Sequence, residues 1–323
     1  MRVINNLTAQ LEAFREEMLR DESVIMIGED IGAHGGMTGE TVGFLEQFGP
    51  ERILSATLAE SAQASFAVGA AMGGQRAIVD YMCADFMAYA YDGIVNQAGK
   101  QRYFSAGQWE YPVVFIAPHG VGMRIAGQHE TSVEGWFQNC AGLKIYTPMY
   151  PSDVKGLLKY AIRENDPVVF LMPRFSSTKG EVPDLDVEHI IEPGKASIVK
   201  EGKDVTIVTY QHGIELSLEA AKTLEAEGIS CEIMDLRTLI PFDKKGILDA
   251  VKKTGRLVVV TEAPKRGGFG NNIINLVAEE GFSSLKAPMR YVGGKDYPIP
   301  YGPGEDFVVP TIEEIVTAVK SIM

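Results

Sequence analysis

Cysteine is scarce: Cys83, Cys140 and Cys231 are the three in 323 residues, and they stand far apart in apolar runs with no CxxC among them. That spacing excludes a dithiol or zinc-ribbon motif and reads as small buried thiols in a reducing, cytoplasm-like setting. Basic charge is short as well. Thirty Lys and Arg face 43 Asp and Glu, a formal charge of -13, and no Lys/Arg cluster offers a phosphate-backbone footprint, so nucleic acid is not an expected partner. No apolar stretch has the length of a membrane span, and the opening MRVINNLTAQLEAFREEML is polar and acidic without a signal core. The expectation is a soluble, unexported, cytoplasmic protein with no membrane contact. The motifs GxxxxGKS/T and HExxH are absent, as is a GxSxG followed by triad partners, which sets aside P-loop, zincin and serine-hydrolase chemistry. No short-period repeat or low-complexity tract is present, which removes solenoids and propellers.

What is there is the balance of a compact protein: 46% hydrophobic and 23% charged residues, with 34 glycines and 16 prolines. The length favours two domains. In the first half, short β-rich runs (VIMIG at Val24, AIVDY at Ala77, VVFIAP at Val113, LKIYTP at Leu143, VVFLMP at Val168) alternate with helical patterns. The helical candidates are LTAQLEAFREEMLRD, AESAQASFAVGAAMGG, the run from Met87 to Arg102, and SDVKGLLKYAIREN with Ser152 as N-cap. This alternation predicts α/β architecture with helices crossing between parallel strands. From about Phe175 to Pro193 the chain is polar, acidic and aperiodic, and reads as a linker. Alternation then resumes with DVTIVTY, a helix ending at Gly228, CEIMDL, DKKGILDAVKKT, RLVVVTE, a helix from about Asn271, MRYVG and a last helix from Thr311. The domains are therefore 1–175, a linker over 176–193, and 194–323.

Three segments could carry chemistry. Glu60 stands where a strand end passes into a helix dense in Ala and Gly. A carboxylate beside such packing could share a proton with a ring nitrogen of a ligand, or could simply complement the positive end of the helix. Phe86, Tyr89 and Tyr91 cluster at a strand-to-helix junction, where aromatic faces could flank a flat heterocycle or could be ordinary core. The glycine-rich stretch from Pro118 to Ser132 carries His119 and His129. There His129 could relay protons, oriented by Gln128 or Glu130, or could be a solvated loop histidine. The GGFGNN at Gly267 lacks the GxGxxG spacing, and close packing is the favoured reading. His34, His189 and His212 show no partner in the sequence.

In order and over nearly the whole chain, these segments resemble the beta subunits of thiamine-diphosphate-dependent pyruvate, branched-chain 2-oxo-acid and acetoin dehydrogenases, members of the transketolase-like superfamily. The resemblance rests on GEDIG at Gly28, QFGPERIL at Gln47, LAES at Leu58, AVGAAMGG at Ala67, ADF then DGIVNQAGKQRY, GQH at Gly127, GLKIYTP at Gly142, DVKGLLKYAIRENDPVVF, GKDVTIV, DLRTLIPFD, TGRLVVV and PYGP. It implies two three-layer α/β/α domains, a pyrimidine-binding domain followed by a transketolase C-terminal-like domain. It implies that Glu60 bonds the aminopyrimidine ring nitrogen of thiamine diphosphate and drives formation of its imino tautomer. By the same resemblance Phe86 packs on the pyrimidine, Met82 and Glu29 line that pocket, and His129 positions the substrate or acyl acceptor. The family's GDG motif with its later Asn-Asn is absent, so the diphosphate and Mg2+ belong to a separate alpha-type subunit in an α2β2 heterotetramer. The stretch YAIREND resembles a potassium site built of backbone carbonyls, with Val113, Ala161, Glu164 and Asp166 as its residues. The implied reaction is decarboxylation of a 2-oxo acid, or cleavage of acetoin, with acyl transfer to a lipoyl-bearing acyltransferase.

Two departures bear on specificity. Ser61-Ala62 stands where relatives have Gly, and His129-Glu130-Thr131 where they read His-Ser-Gln; the added carboxylate could raise the histidine's proton affinity or repel an anionic substrate. VGMRIAGQH is closer to the acetoin branch. A split transketolase-like ketol transferase and a non-catalytic regulatory partner stand as alternatives.

Overall fold

In the computed structural model, residues 1–174 and 177–323 are described. The first part runs β1 (Arg2–Asn5), α1 (Asn6–Arg20), β2 (Val24–Glu29), α2 (Phe44–Phe48), β3 (Ile53–Ala56), α3 (Glu60–Met72) and β4 (Arg76–Asp80). It continues through α4 (Gly99–Phe104), β5 (Val113–His119), α5 (Glu134–Phe137), β6 (Lys144–Tyr146), α6 (Pro151–Arg163), β7 (Val168–Pro173) and β8 (Lys179–Val182). The second part is β9 (Ser197–Lys200), β10 (Val205–Thr209), α7 (His212–Ala226), β11 (Cys231–Asp235), β12 (Thr238–Ile240), α8 (Lys244–Thr254), β13 (Leu257–Pro264), α9 (Gly270–Leu276), β14 (Arg290–Gly294) and α10 (Ile312–Lys320). By their contacts these elements form two units. One is 1–119 with 137–192; the other is 120–136 with 193–323. The glycine-rich segment after β5, expected in the first domain, thus groups with the second unit.

The first unit is built on parallel strands in the order β6-β7-β5-β4-β2-β3. Their sequences are almost uninterrupted apolar runs because both faces are covered, as a parallel sheet requires. Phe14 and Met18 of α1 pack with Val154, Leu157 and Leu158 of α6 in a core completed by Ile116 and Phe170 of the sheet. The chain leaves β2 for β3 on one side and then returns past β2 to β4 on the other. That reversal opens a crevice at the carboxyl ends of the strands, where α/β sheets bind ligands. The second unit carries the sheet β14-β13-β10-β11-β9, parallel except for the antiparallel edge strand β9. Its core joins Ile207 and Val258 to Leu224 of α7 and to Ile315 and Val319 of α10. Among the described residues no helix is long and apolar enough to cross a membrane.

Several local expectations change. The linker is not all irregular: β8 pairs antiparallel with β1, Arg2 opposite Val182. Phe175 and Ser176, at its start, lie outside the described residues. Tyr150 rather than Ser152 caps α6, because Pro151 takes the first helical position, where a missing N–H costs nothing. The run Met87–Arg102 is not one helix. It breaks into a short 3-10 turn over Ala84–Ala88, a π-helical stretch over Gly93–Ala98, and α4. The close approach of α3 explains part of this, since a Cβ on Gly93 would stand 2.6 Å from the Ala64 methyl. The ends of α7 and α10 follow the sequence: Gly228 takes φ 83° just past the cap of α7, and Thr311 opens α10 with a capping box to Glu314.

Candidate functional site

A cleft at the carboxyl ends of β2, β3 and β4 is lined by Glu29, Glu60, Gln63, Asp80, Tyr81, Met82 and Phe86. Four of these, Glu29, Glu60, Met82 and Phe86, are the residues that the sequence assigned to cofactor binding, and the fold brings them together from three segments. Glu29 ends β2, while Glu60 is the first residue of α3, whose N-cap Ala59 offers no side-chain bond. Glu60 is therefore the acid at the helix's positive end. Among the described residues nothing hydrogen bonds to its carboxylate; only its backbone carbonyl is used, by the Tyr81 hydroxyl at 3.4 Å. Met82 sits just past β4 at φ 46°, a left-handed conformation that its own N–H secures by donating to Asp80 Oδ1 at 3.1 Å. That turn throws Met82 and Phe86, both half-buried, into the cleft. Gly28 makes the approach of β2 and β4 feasible here, since a Cβ on it would lie 2.9 Å from the Asp80 carbonyl.

The sequence did not single out Gln63, Asp80 or Tyr81. Gln63 lies one turn after Glu60, so the two share a helix face. Its Nε2 donates to the Thr57 carbonyl at 3.0 Å, which fixes the amide orientation, because a carbonyl can only accept. The opposite atom, Oε1, is buried without a hydrogen-bond partner among the described residues. Such an orphan acceptor is costly and is a common mark of a ligand-facing group. Asp80 is buried too. Burial, with the nearby Glu40, pushes its carboxyl up to about 7 against the pull of the Met82 N–H. Burial, Asp30 and Glu60 likewise raise Glu29. The cleft thus concentrates carboxyl groups that favour a proton, the environment in which such groups do acid/base work. Tyr89 is exposed and Tyr91 stacks on Phe137, their rings 5.8 Å apart, so of the three clustered aromatics Phe86 lines the cleft.

His129 belongs to the second unit. Its neighbour Glu130 is fully buried and accepts from four successive backbone N–H groups: Met123 at 2.5 Å and Arg124 at 3.0 Å on Oε1, Ile125 at 2.7 Å and Ala126 at 3.1 Å on Oε2. The expectation that Glu130 acts on the histidine or repels substrate is thereby replaced. The carboxylate is spent inside its own loop, where four convergent donors outweigh exposure. In the same unit Glu262 Oε1 accepts from the Val121 N–H at 2.9 Å and the Ser132 hydroxyl at 2.8 Å.

The carbonyl stretch expected to hold a monovalent cation already carries protein cations. Arg76 donates to the carbonyls of Ile162 at 3.1 Å and Glu164 at 3.0 Å, and the Ala161 carbonyl accepts from the Glu164 N–H at 3.3 Å. Lys144 bridges the side chains of Glu164 and Asp166, at 2.6 and 3.2 Å, and Arg102 pairs with Asp166. Val113 opens β5 opposite Ala77. A guanidinium on the Glu164 carbonyl leaves that oxygen a poor ligand for another cation, so these residues do not fit the group as they stand. Among the described residues no three His, Cys, Asp or Glu side chains converge as a metal site. The other histidines have local contacts: His189 Nε2 lies 3.0 Å from Ser152 Oγ, His212 Nδ1 3.2 Å from Glu215, and His34 Nδ1 3.4 Å from Asp30. Gly268 and Gly270 pack against the Tyr291 ring, in accord with the packing reading of GGFGNN.

Two families match the chain: "Transketolase, pyrimidine binding domain" over residues 3–178 and "Transketolase, C-terminal domain" over 194–315. The acetoin:2,6-dichlorophenolindophenol oxidoreductase subunit beta of Cupriavidus necator is 44% identical over 324 residues, covering 97% of this chain and 95% of that relative. The pyruvate dehydrogenase E1 component subunit beta of Rickettsia conorii is 41% identical over 96% of this chain and 95% of its own length. The 2-oxoisovalerate dehydrogenase subunit beta of Bacillus subtilis is 40% identical over 100% of this chain and 99% of its own. Among solved structures, one titled "Split gene transketolase, inactive beta4 tetramer" superposes with a TM-score of 0.79 at 25% identity, covering 99% of this chain and 98% of that one.

Proposed function

Because the chain belongs to the family of transketolase-like beta subunits of 2-oxo-acid and acetoin dehydrogenases, we propose that it forms the pyrimidine half of a thiamine-diphosphate site completed by an alpha-type subunit. The carrying observation is the convergence of Glu60, Met82, Phe86 and Glu29 in one cleft beside the orphaned Gln63 Oε1. An unsatisfied buried acceptor and a half-buried aromatic suit a flat heterocycle that brings its own donors. Once bound, the cofactor supplies the electron sink for cleaving the bond next to a carbonyl. The chain's part is narrower. Glu60 holds a proton at the ring nitrogen, Phe86 and Met82 fix the ring plane, and Glu29 lines the same pocket. His129 positions substrate or acceptor.

Diphosphate and Mg2+ fall to the alpha subunit in this reading, in an α2β2 assembly. Exposed apolar side chains on the first unit support a missing partner: Leu58 and Phe66 lie on either side of Glu60 in the sequence, Tyr103 and Phe104 end α4, and Trp109 follows it. The reaction is decarboxylation of a pyruvate-like 2-oxo acid or cleavage of acetoin, with transfer to a lipoyl group. The 44% identical acetoin-type relative favours the second donor.

Calorimetric titration of thiamine diphosphate and Mg2+ into the chain alone, and then co-expressed with its alpha partner, tests the site. Binding to the pair alone is expected; tight Mg2+-dependent binding to the isolated chain would refute it. Turnover with pyruvate, branched-chain 2-oxo acids and acetoin, read with an artificial electron acceptor, then identifies the donor. The split-transketolase neighbour favours a second reading, a ketol transferase, which ketol transfer to an aldose without transfer to lipoamide would support.

A further inference from the structure

We propose that Glu305 is a positioning residue for His129: the carboxyl groups of Glu305 and Glu130 share one proton, and this pair holds the loop 122–131 in the bent form that carries the histidine. Glu305 lies in the 3-10 turn Gly302–Phe307 and is 4% exposed, while Glu130 is 0% exposed. Both meet at one donor: the Arg124 N–H points at Glu130 Oε1 at 3.0 Å and at Glu305 Oε2 at 3.2 Å. Glu130 also raises the proton affinity of Glu305. Two buried carboxylates that meet at one N–H repel each other unless one carries a hydrogen, and Glu305 is the one whose proton affinity is raised.

The groups facing the pair are of both signs. Glu262 on β13 adds negative charge. The Arg124 guanidinium turns outward onto Asp306, at 3.0 and 2.9 Å, and supplies only its backbone N–H. His212 at the start of α7 is a basic side chain facing the pair; burial opposes its charge, but Glu215, Glu262 and Glu305 raise its proton affinity. Burial first, and Glu130 second, push the Glu305 carboxyl up to about 7, with the Arg124 N–H opposing.

The loop needs such a clamp. Arg124 and Ala126 stand at φ 60° and 78°, left-handed conformations that residues with a Cβ adopt only when held. The Glu130 carboxylate holds them by accepting from 123 to 126 in succession, and the shared proton keeps a second negative charge out of that nest. A carboxyl raised in the folded protein stabilises the loop fully below its ordinary value and loses that stabilisation as pH rises through about 7.

Only the role given to His129 rests on the proposed function; the clamp itself does not. Hydrogen–deuterium exchange of the full chain, alone and with its alpha partner, reads the clamp directly after intrinsic rates are divided out. Protection of the Met123–Ala126 amides should fall about tenfold between pH 6 and 8, the change expected for one group titrating near 7. In Glu305→Gln, whose amide donates to Glu130 at every pH, protection should stay flat and the alkaline limb of kcat should vanish with KM little changed. A flat wild-type profile, or an unchanged titration in Glu305→Gln, overturns the proposal. If that variant fails to fold, the infrared band of a protonated carboxyl in the wild type decides: it should disappear with a midpoint near 7, and its absence at pH 6 refutes the shared proton. A titrating loop in a protein inactive on every donor would sink the proposed function and leave this inference standing.

Discussion

Replacing Glu60 with Gln separates chemistry from folding. The carboxylate has no hydrogen-bond partner among the described residues and begins α3 without a cap of its own, so its structural contribution is the interaction with the helix's positive end. That interaction is worth about 0.3–1 kcal/mol. For a chain of this size the loss shifts the melting temperature by about 2–4 °C at most. Gln keeps the volume and one acceptor but cannot hold or release a proton, and removing a positioned acid/base group costs about 10²- to 10⁴-fold in rate. That range corresponds to about 2.7–5.5 kcal/mol of transition-state stabilisation. The cofactor should still bind the assembled enzyme, more weakly, because Phe86, Met82 and Gln63 remain. The assay is kcat of the reconstituted pair with its best donor, beside a thermal melt with and without thiamine diphosphate and Mg2+. A variant that keeps more than a tenth of wild-type kcat would refute the acid/base role. One that loses activity only because it melts many degrees lower would show Glu60 to be structural.

Three further outcomes follow from the same geometry. Phe86→Ala should raise the dissociation constant for the cofactor about tenfold, since an aromatic contact beyond simple burial is worth about 0.5–1.5 kcal/mol; unchanged affinity by calorimetry would remove Phe86 from the site. Asp80→Asn should flatten the dependence of stability on pH: a carboxyl raised to about 7 stabilises the fold below its ordinary value and loses that contribution as pH rises through 7. Urea unfolding at pH 6 and 8 should show the wild type losing stability over that interval and the variant losing less. Lys155→Met should destabilise the first unit by about 1.5–3 kcal/mol, because Lys155 is almost wholly buried between Glu12 at 2.9 Å and Glu16 at 2.6 Å, and its removal takes a charge-assisted partner from each, leaving Arg2 on Glu12 and Lys159 on Glu16. A loss under 1 kcal/mol in denaturant would show that water replaces the lysine.

Local pattern carried most of the fold. The strands at Val24, Ala77, Val113 and Val168 were legible because parallel strands buried on both faces leave unbroken apolar runs, and α10 because Thr311 and Glu314 spell a capping box. The Met87–Arg102 run misled because helical periodicity does not register the close passage of α3 at Gly93. In the site, Glu60, Met82 and Phe86 were reached through resemblance; their bare residue types suited core or helix end equally well. Gln63 and Asp80 were missed for a physical reason. Their distinction is an orphaned oxygen and a raised proton affinity, and both arise from burial that only tertiary structure creates. Glu130 was noticed as a departure and its role left open, since nothing in His129-Glu130-Thr131 reveals that four N–H groups upstream converge on it.

The chain enters the second unit at Gly120, leaves it after Trp136, and returns at Pro193. Cutting at the 176–193 stretch to isolate the family-matched N-terminal half would therefore carry 120–136 away from Glu305, Glu262 and Tyr210, the last of which donates to Glu134 at 2.6 Å. The two halves are not interchangeable cassettes. A chimera joined at that boundary would inherit a loop from one parent and its anchoring groups from the other, so recombination among relatives would have to exchange both together or lose the geometry around His129.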